Sequence, residues 1–133
     1  MITKTKLATL ILGATLFAAG LAEAHHSLIA EFDLDKPIVL KGTITKMEWT
    51  NPHGWIYVNV TNTKGQVENW AVETGGPANM ENRGLKVADF AFGTEIIIRG
   101  YVSKVGGLRA GGWIITFPGR DPKKGETSFP LGR

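Results

Sequence analysis

From residue 37 onward, apolar and polar positions alternate along most of the chain, and a period of two predicts β-strands rather than helices. The cleanest case is Gly54 to Thr61. Ile56, Val58 and Val60 face one way there, and Trp55, Tyr57, Asn59 and Thr61 face the other. The longer run before it, Ile38 to Trp49, keeps Ile38, Leu40 and Ile44 in one parity and then shifts to Met47 and Trp49. A single shift in a run containing Gly42 predicts a bulge or sharp bend in one long strand. Asn62-Thr63-Lys64-Gly65 reads as a turn into a third strand, Gln66 to Glu73, with Trp70 and Val72 on one face. Gly75-Gly76-Pro77 ends that pattern. Pro77 suits a first helical position, and Ala78 to Arg83 are expected to make one or two helical turns ending at Gly84. Leu85, Val87, Phe90 and Phe92 are then expected to close one end of a core. A fourth strand, Glu95 to Val105, sets Ile96, Ile98 and Val102 against Ile97 and Tyr101. Gly106-Gly107 and Gly111-Gly112 bound what reads as a loose connection carrying Arg109, and Trp113 to Phe117 is the last strand. Gly, Pro, Lys and Asp dominate from Pro118, so Asp121 to Arg133 reads as a mobile tail.

Three strands, a short helical connection and two more strands predict an all-β fold, a small five-stranded OB-like Greek-key barrel. A small β-sandwich is the alternative. An open meander would leave long apolar edges unprotected. The expected organisation is a signal peptide over 1–24, a lead-in over 25–36, the barrel over 37–118 and a flexible tail over 119–133.

The first residues carry Lys4 and Lys6, then an apolar run from Leu7 to Leu21, then Ala22-Glu23-Ala24, a small-x-small cleavage site. That is the three-part plan of a secretory signal, and the apolar run is shorter than the ~20 residues a spanning helix needs. The mature protein is therefore expected in the periplasm or secreted, with no stable membrane anchor after cleavage. Losing Lys4, Lys6 and Glu23 takes the formal net charge from +3 to +2, too balanced to suggest nucleic acid as a partner. With no cysteine there is no disulfide framework, no thiolate metal site and no thiol catalysis.

Several stretches together resemble a family of small exported bacterial proteins classed only as a domain of unknown function. They are His-His-Ser after the signal, Glu31-Phe32-Asp33, Leu40-x-Gly42-x-Ile44, and Trp49-Thr-Asn-Pro-His53-x-Trp55-Ile56, followed by Trp70-x-x-Glu73-x-Gly75 and Gly93-x-Glu95-x-x-x-x-Gly100-Tyr101. The Asn-Pro-His turn between tryptophans is the most specific of them. The resemblance covers roughly His25 to Phe117, and it implies a periplasmic OB-like barrel without implying an activity.

The residues themselves suggest one chemistry. The chain has three histidines, His25, His26 and His53. Cleavage after Ala24 would free an α-amine on His25, and amine plus imidazole of one residue can close a chelate ring. A second imidazole from His53, held in a turn stiffened by Pro52, would complete a three-nitrogen set of the kind copper favours. His26 competes with His53 as the second imidazole. Glu73, Glu48 and Glu31 are candidates to supply an oxygen or to orient an imidazole through its other nitrogen. Met47 reads as core rather than as a thioether ligand. A second reading dispenses with metal: Trp49, Trp55 and Tyr57 would form a face that docks a periplasmic partner protein or small ligand. No nucleophile has a visible partner set, so a binding protein is expected rather than an enzyme.

Overall fold

The computed structural model describes residues 28–121 and 125–132. It is built of six strands. After one helical turn, α1 (Leu28–Glu31), come β1 (Phe32–Glu48), β2 (His53–Thr61) and β3 (Val67–Gly75). Helix α2 (Pro77–Asn82) and a 3-10 turn at Val87–Phe90 then lead into β4 (Glu95–Ser103), β5 (Arg109–Asp121) and β6 (Gly125–Pro130).

The strand order is β3-β2-β1-β4-β5-β6, with a further pairing of β3 to β5. Five strands thus close a ring, β1-β2-β3-β5-β4 and back to β1, and β6 lies against the outer edge of β5. All neighbours are antiparallel except β3 and β5. This is the five-stranded, OB-like Greek-key barrel that the strand pattern predicts, with the helical connection between the third and fourth strands where Pro77 places it.

Each element follows from its residues. In β2, the parity carried by Ile56 and Val58 is fully buried, and the β-branched side chains suit a half-buried pleat. β1 is long enough to pair with β2 over its second half and with β4 over its first. Its register slips between Ile44 and Lys46, which is the predicted bulge, lying just beyond Gly42. The extra residue bends the strand so that one chain segment can serve two sides of the ring. The interior is filled by Leu40, Ile44, Ile56, Val58, Val72, Ile96, Ile98 and Ile115. Met80 and Leu85 from the helical connection plug one end, and Phe90 joins them, its ring 5.7 Å from that of Trp49.

Four expectations change. Arg109 to Gly112 is not a loose connection but the start of β5, and it closes the barrel: Ala71, Val72 and Glu73 of β3 face Arg109, Ala110 and Gly111. Two glycines hide this seam from a pattern of side chains. A Cβ on Gly111 would lie 2.8 Å from the Phe32 ring on the outer face, and one on Gly112 would lie 2.7 Å from Leu131 on the inner face. Second, residues beyond Pro118 are not all tail. β6 pairs with β5 from Ile114–Pro130 to Asp121–Gly125, and Leu131 is fully buried. Third, the lead-in is partly strand, since β1 begins at Phe32, which faces Ser103. Fourth, Val87 and Phe92 do not close the core. They are 56% and 83% exposed, because the 3-10 turn directs only Phe90 inward.

Candidate functional site

The Asn-Pro-His turn joins β1 to β2. Its Asn51–Pro52 bond is cis, and the Thr50 hydroxyl donates to the His53 carbonyl at 2.9 Å. The turn sits tightly on the end of β3: a Cβ on Gly76 would lie 2.7 Å from the Pro52 carbonyl oxygen. His53 is therefore the first residue of a strand whose start is held from both sides. It faces Gly75 across the β2–β3 ladder, and Trp55 faces Glu73.

That register brings the His53 imidazole and the Glu73 carboxylate together, with Nδ1 to Oε1 at 2.6 Å. The His53 side chain is one-third exposed and that of Glu73 only 5%. The pair lies on the outer face of the barrel, where Glu73 is nonetheless buried. Phe32 is buried but stands outside the main core, with its ring over Gly111 beside the β3–β5 seam. The start of the described chain is pinned there by Lys104, whose backbone N–H donates to the Glu31 carbonyl at 2.9 Å and whose ammonium donates to the Ile29 carbonyl at 2.6 Å.

Between this segment and the sheet is a cleft of about 350 Å³, lined by Glu31, Phe32, Trp55, Glu73, Ser103 and Arg109 among others. Arg109 lies over the Trp55 indole, its guanidinium carbon 4.9 Å from the ring centroid. The cleft thus holds two carboxylates, a cation at the rim and two aromatic walls. Glu73 belongs to both features, touching His53 with one oxygen and lining the cleft.

Chemically, a carboxylate on Nδ1 fixes an imidazole. It accepts the Nδ1–H, holds the ring plane, and in the neutral form leaves the lone pair on Nε2. An imidazole in that state can bind a metal or take a proton. Among the described residues, no three histidine or acidic side chains converge as a metal site.

The other residues singled out from the sequence are placed as follows. Glu31 lies in the cleft with Glu73. Glu48 is engaged elsewhere: it accepts a hydrogen bond from Lys46, whose amine it holds above the ordinary lysine value, and Lys46 in turn lies 5.1 Å from the Tyr57 ring centroid. Trp49 is turned to the core and packs on Phe90, so it does not share a face with Trp55 and Tyr57. Met47 packs against the core, as expected. His25 and His26 lie outside the described residues. The sequence reading missed Arg109, Phe32 and Ser103 as cleft residues. Arg109 was obscured by its glycine-rich surroundings, and Phe32 by its place in a polar lead-in.

Among the described residues, no helix is long and apolar enough to cross a membrane. Searches of curated proteins and of solved structures return no match. A family model does match, over residues 14–112, which is most of the chain. The protein belongs to that family, described as a family of unknown function (DUF6152).

Proposed function

We propose that this protein is an exported, non-enzymatic Cu(II)-binding module in which His53 is the imidazole supplied by the fold. His25, freed by signal cleavage, supplies the α-amine and a second imidazole. The observation that carries this reading is the 2.6 Å contact between His53 Nδ1 and a Glu73 carboxylate that is only 5% exposed. A carboxylate behind a histidine is the arrangement that orients imidazole ligands and raises their basicity. Nitrogen-rich sets favour Cu(II) over the other common divalent ions, and no thiolate is present to prefer a softer metal. His26 is the local competitor, because a terminal amine and a nearby imidazole bind copper without a fold.

The tryptophan-face alternative loses support from the packing. Trp49 and Trp70 lean on the core, and Trp55 and Tyr57 each carry a cation over the ring. What is left on that side is a cleft rather than a broad aromatic platform.

The test is a Cu(II) titration of the mature protein, its N-terminus established by mass, followed by visible absorption and electron paramagnetic resonance. His53→Ala is expected to weaken binding at least tenfold and to change the spectrum. A mature chain starting elsewhere than His25, or an unchanged spectrum in His53→Ala, would overturn the reading.

A further inference from the structure

The cleft beside Glu73 has an occupant within reach. We infer that it receives the chain's own mature N-terminus, with the His25 ammonium on the Glu31 and Glu73 carboxylates, and that it does so before any metal arrives. The inference rests on the cleavage after Ala24 assumed above, but it does not require copper.

Three observations lead there. The first is the path of the chain. The Ala30-Glu31-Phe32 segment is itself one wall of the cleft, and Lys104 pins that segment to the barrel. Only His25, His26 and Ser27 precede Leu28 in a chain cut after Ala24. Three extended residues span at most about 10 Å, which limits how far the new terminus can lie from the pinned segment.

The second is charge. A freed α-amine has an ordinary pKa near 8 and is mostly protonated at neutral pH. The charged and titratable groups around it are Glu31 on α1, Glu73 on β3, Arg109 on β5, His53 on β2 behind Glu73, and Lys104 just after β4, whose ammonium is held by the Ile29 carbonyl. Arg109 is drawn over Trp55 at the rim, while Glu73 is buried. The inner part of the cleft therefore favours a cation. A buried carboxylate strengthens such a pairing, because water screens it less than on an open surface.

The third is shape. The aromatic walls from Phe32 and Trp55 suit a flat ring carried by the same residue as the ammonium, and imidazole is one. About 350 Å³ accommodates a single residue of this size rather than a second protein chain.

The consequence is that signal cleavage completes the site. In the uncleaved chain the same nitrogen is a neutral amide preceded by Ala24 and the rest of the signal, which offers neither the charge nor the room.

The experiment uses chelator-treated, metal-free mature protein and proton NMR. Nuclear Overhauser contacts are expected between His25 protons and the ring protons of Phe32 and Trp55. A variant with one extra glycine before His25 is expected to lose them while keeping the amide spectrum of the barrel. Glu31→Gln, on the exposed side of the pair, is expected to weaken them. Absence of these contacts in the mature protein, or their persistence unchanged in the glycine-extended variant, overturns the inference. The two readings fail separately. If the contacts are seen but Cu(II) does not use His53, the docking stands and the copper reading falls. If Cu(II) binds through His53 but the metal-free terminus makes no contacts, the docking falls.

Discussion

Glu73 is the residue on which the site depends. It sits opposite Trp55 on the outer side of a strand pair, where a carboxylate would ordinarily be solvated, yet it is almost fully buried against His53. Glu73→Gln keeps its size and removes the charge that fixes His53 Nδ1. Cu(II) affinity is expected to fall roughly 10- to 100-fold with the barrel still folded, as isothermal titration and circular dichroism together would show. A fall of the same size in Glu48→Gln would contradict this placement, because Glu48 is held by Lys46. His53 was visible in the sequence as an isolated histidine in a stiff turn. Glu73 was only one of three acids of equal standing. What separates them is register, which the sequence contains in principle: the Asn62 N–H bonds the Gln66 carbonyl, and counting outward from that turn brings His53 opposite Gly75. Glu73 is then a diagonal neighbour, within reach of a long side chain. Glu48 sits across the other ladder, and its pairing with Lys46 could not be read from spacing.

The fifth strand shows why one element was misread. Alternation is a signal carried by side chains, and the first residues of β5 have almost none to show. Gly111 lies under the Phe32 ring and Gly112 under Leu131, so each glycine marks a close approach rather than a loose turn. Gly111→Ala is expected to destabilise the protein by about 1–3 kcal/mol through overpacking, measured as a lower urea midpoint. The effect has a specific signature. With Phe32→Ala already present, the cost of Gly111→Ala is expected to shrink, since the two changes share one contact. Fully additive costs would mean that the Phe32 ring is not what fills the space over Gly111. The strands with filled alternation, β2 above all, were legible because every second side chain reports the core. The bulge in β1 was legible for the same reason, as a change of parity.

For the molecule as a whole, the sequence yielded the ring of strands but not how the ring is finished. The parallel pairing of β3 with β5 ends at Glu73 and Gly111. Beyond it the strands separate, and Leu131 fills the gap, accepting from the Gly75 N–H and donating to the Trp113 carbonyl, both at 2.9 Å. The side chain of Leu131 is fully buried in the main core. Leu131→Ala is therefore expected to cost about 2–5 kcal/mol, as for other buried leucines, and removal of residues 122–133 is expected to cost at least as much in a thermal melt. An unchanged melting temperature in the truncated chain would return β6 to the status of a tail. Composition hid this role, because Phe129 and Leu131 are two apolar residues in a stretch dominated by Gly, Pro and Lys. Contacts so far apart along the chain leave no local periodicity to read.

The position of Leu131 in the chain also bears on when the barrel can become stable. The residue that seals the seam follows all six described strands, so a nascent chain carries an open seam and an incomplete core until Leu131 is available. Pairings this distant in sequence form slowly in any case. For a chain that we propose is exported, late sealing leaves the polypeptide open for longer before the barrel closes. Leu131 acts in this sense as a timing element: until it is in place, the seam between Gly75 and Trp113 stays open.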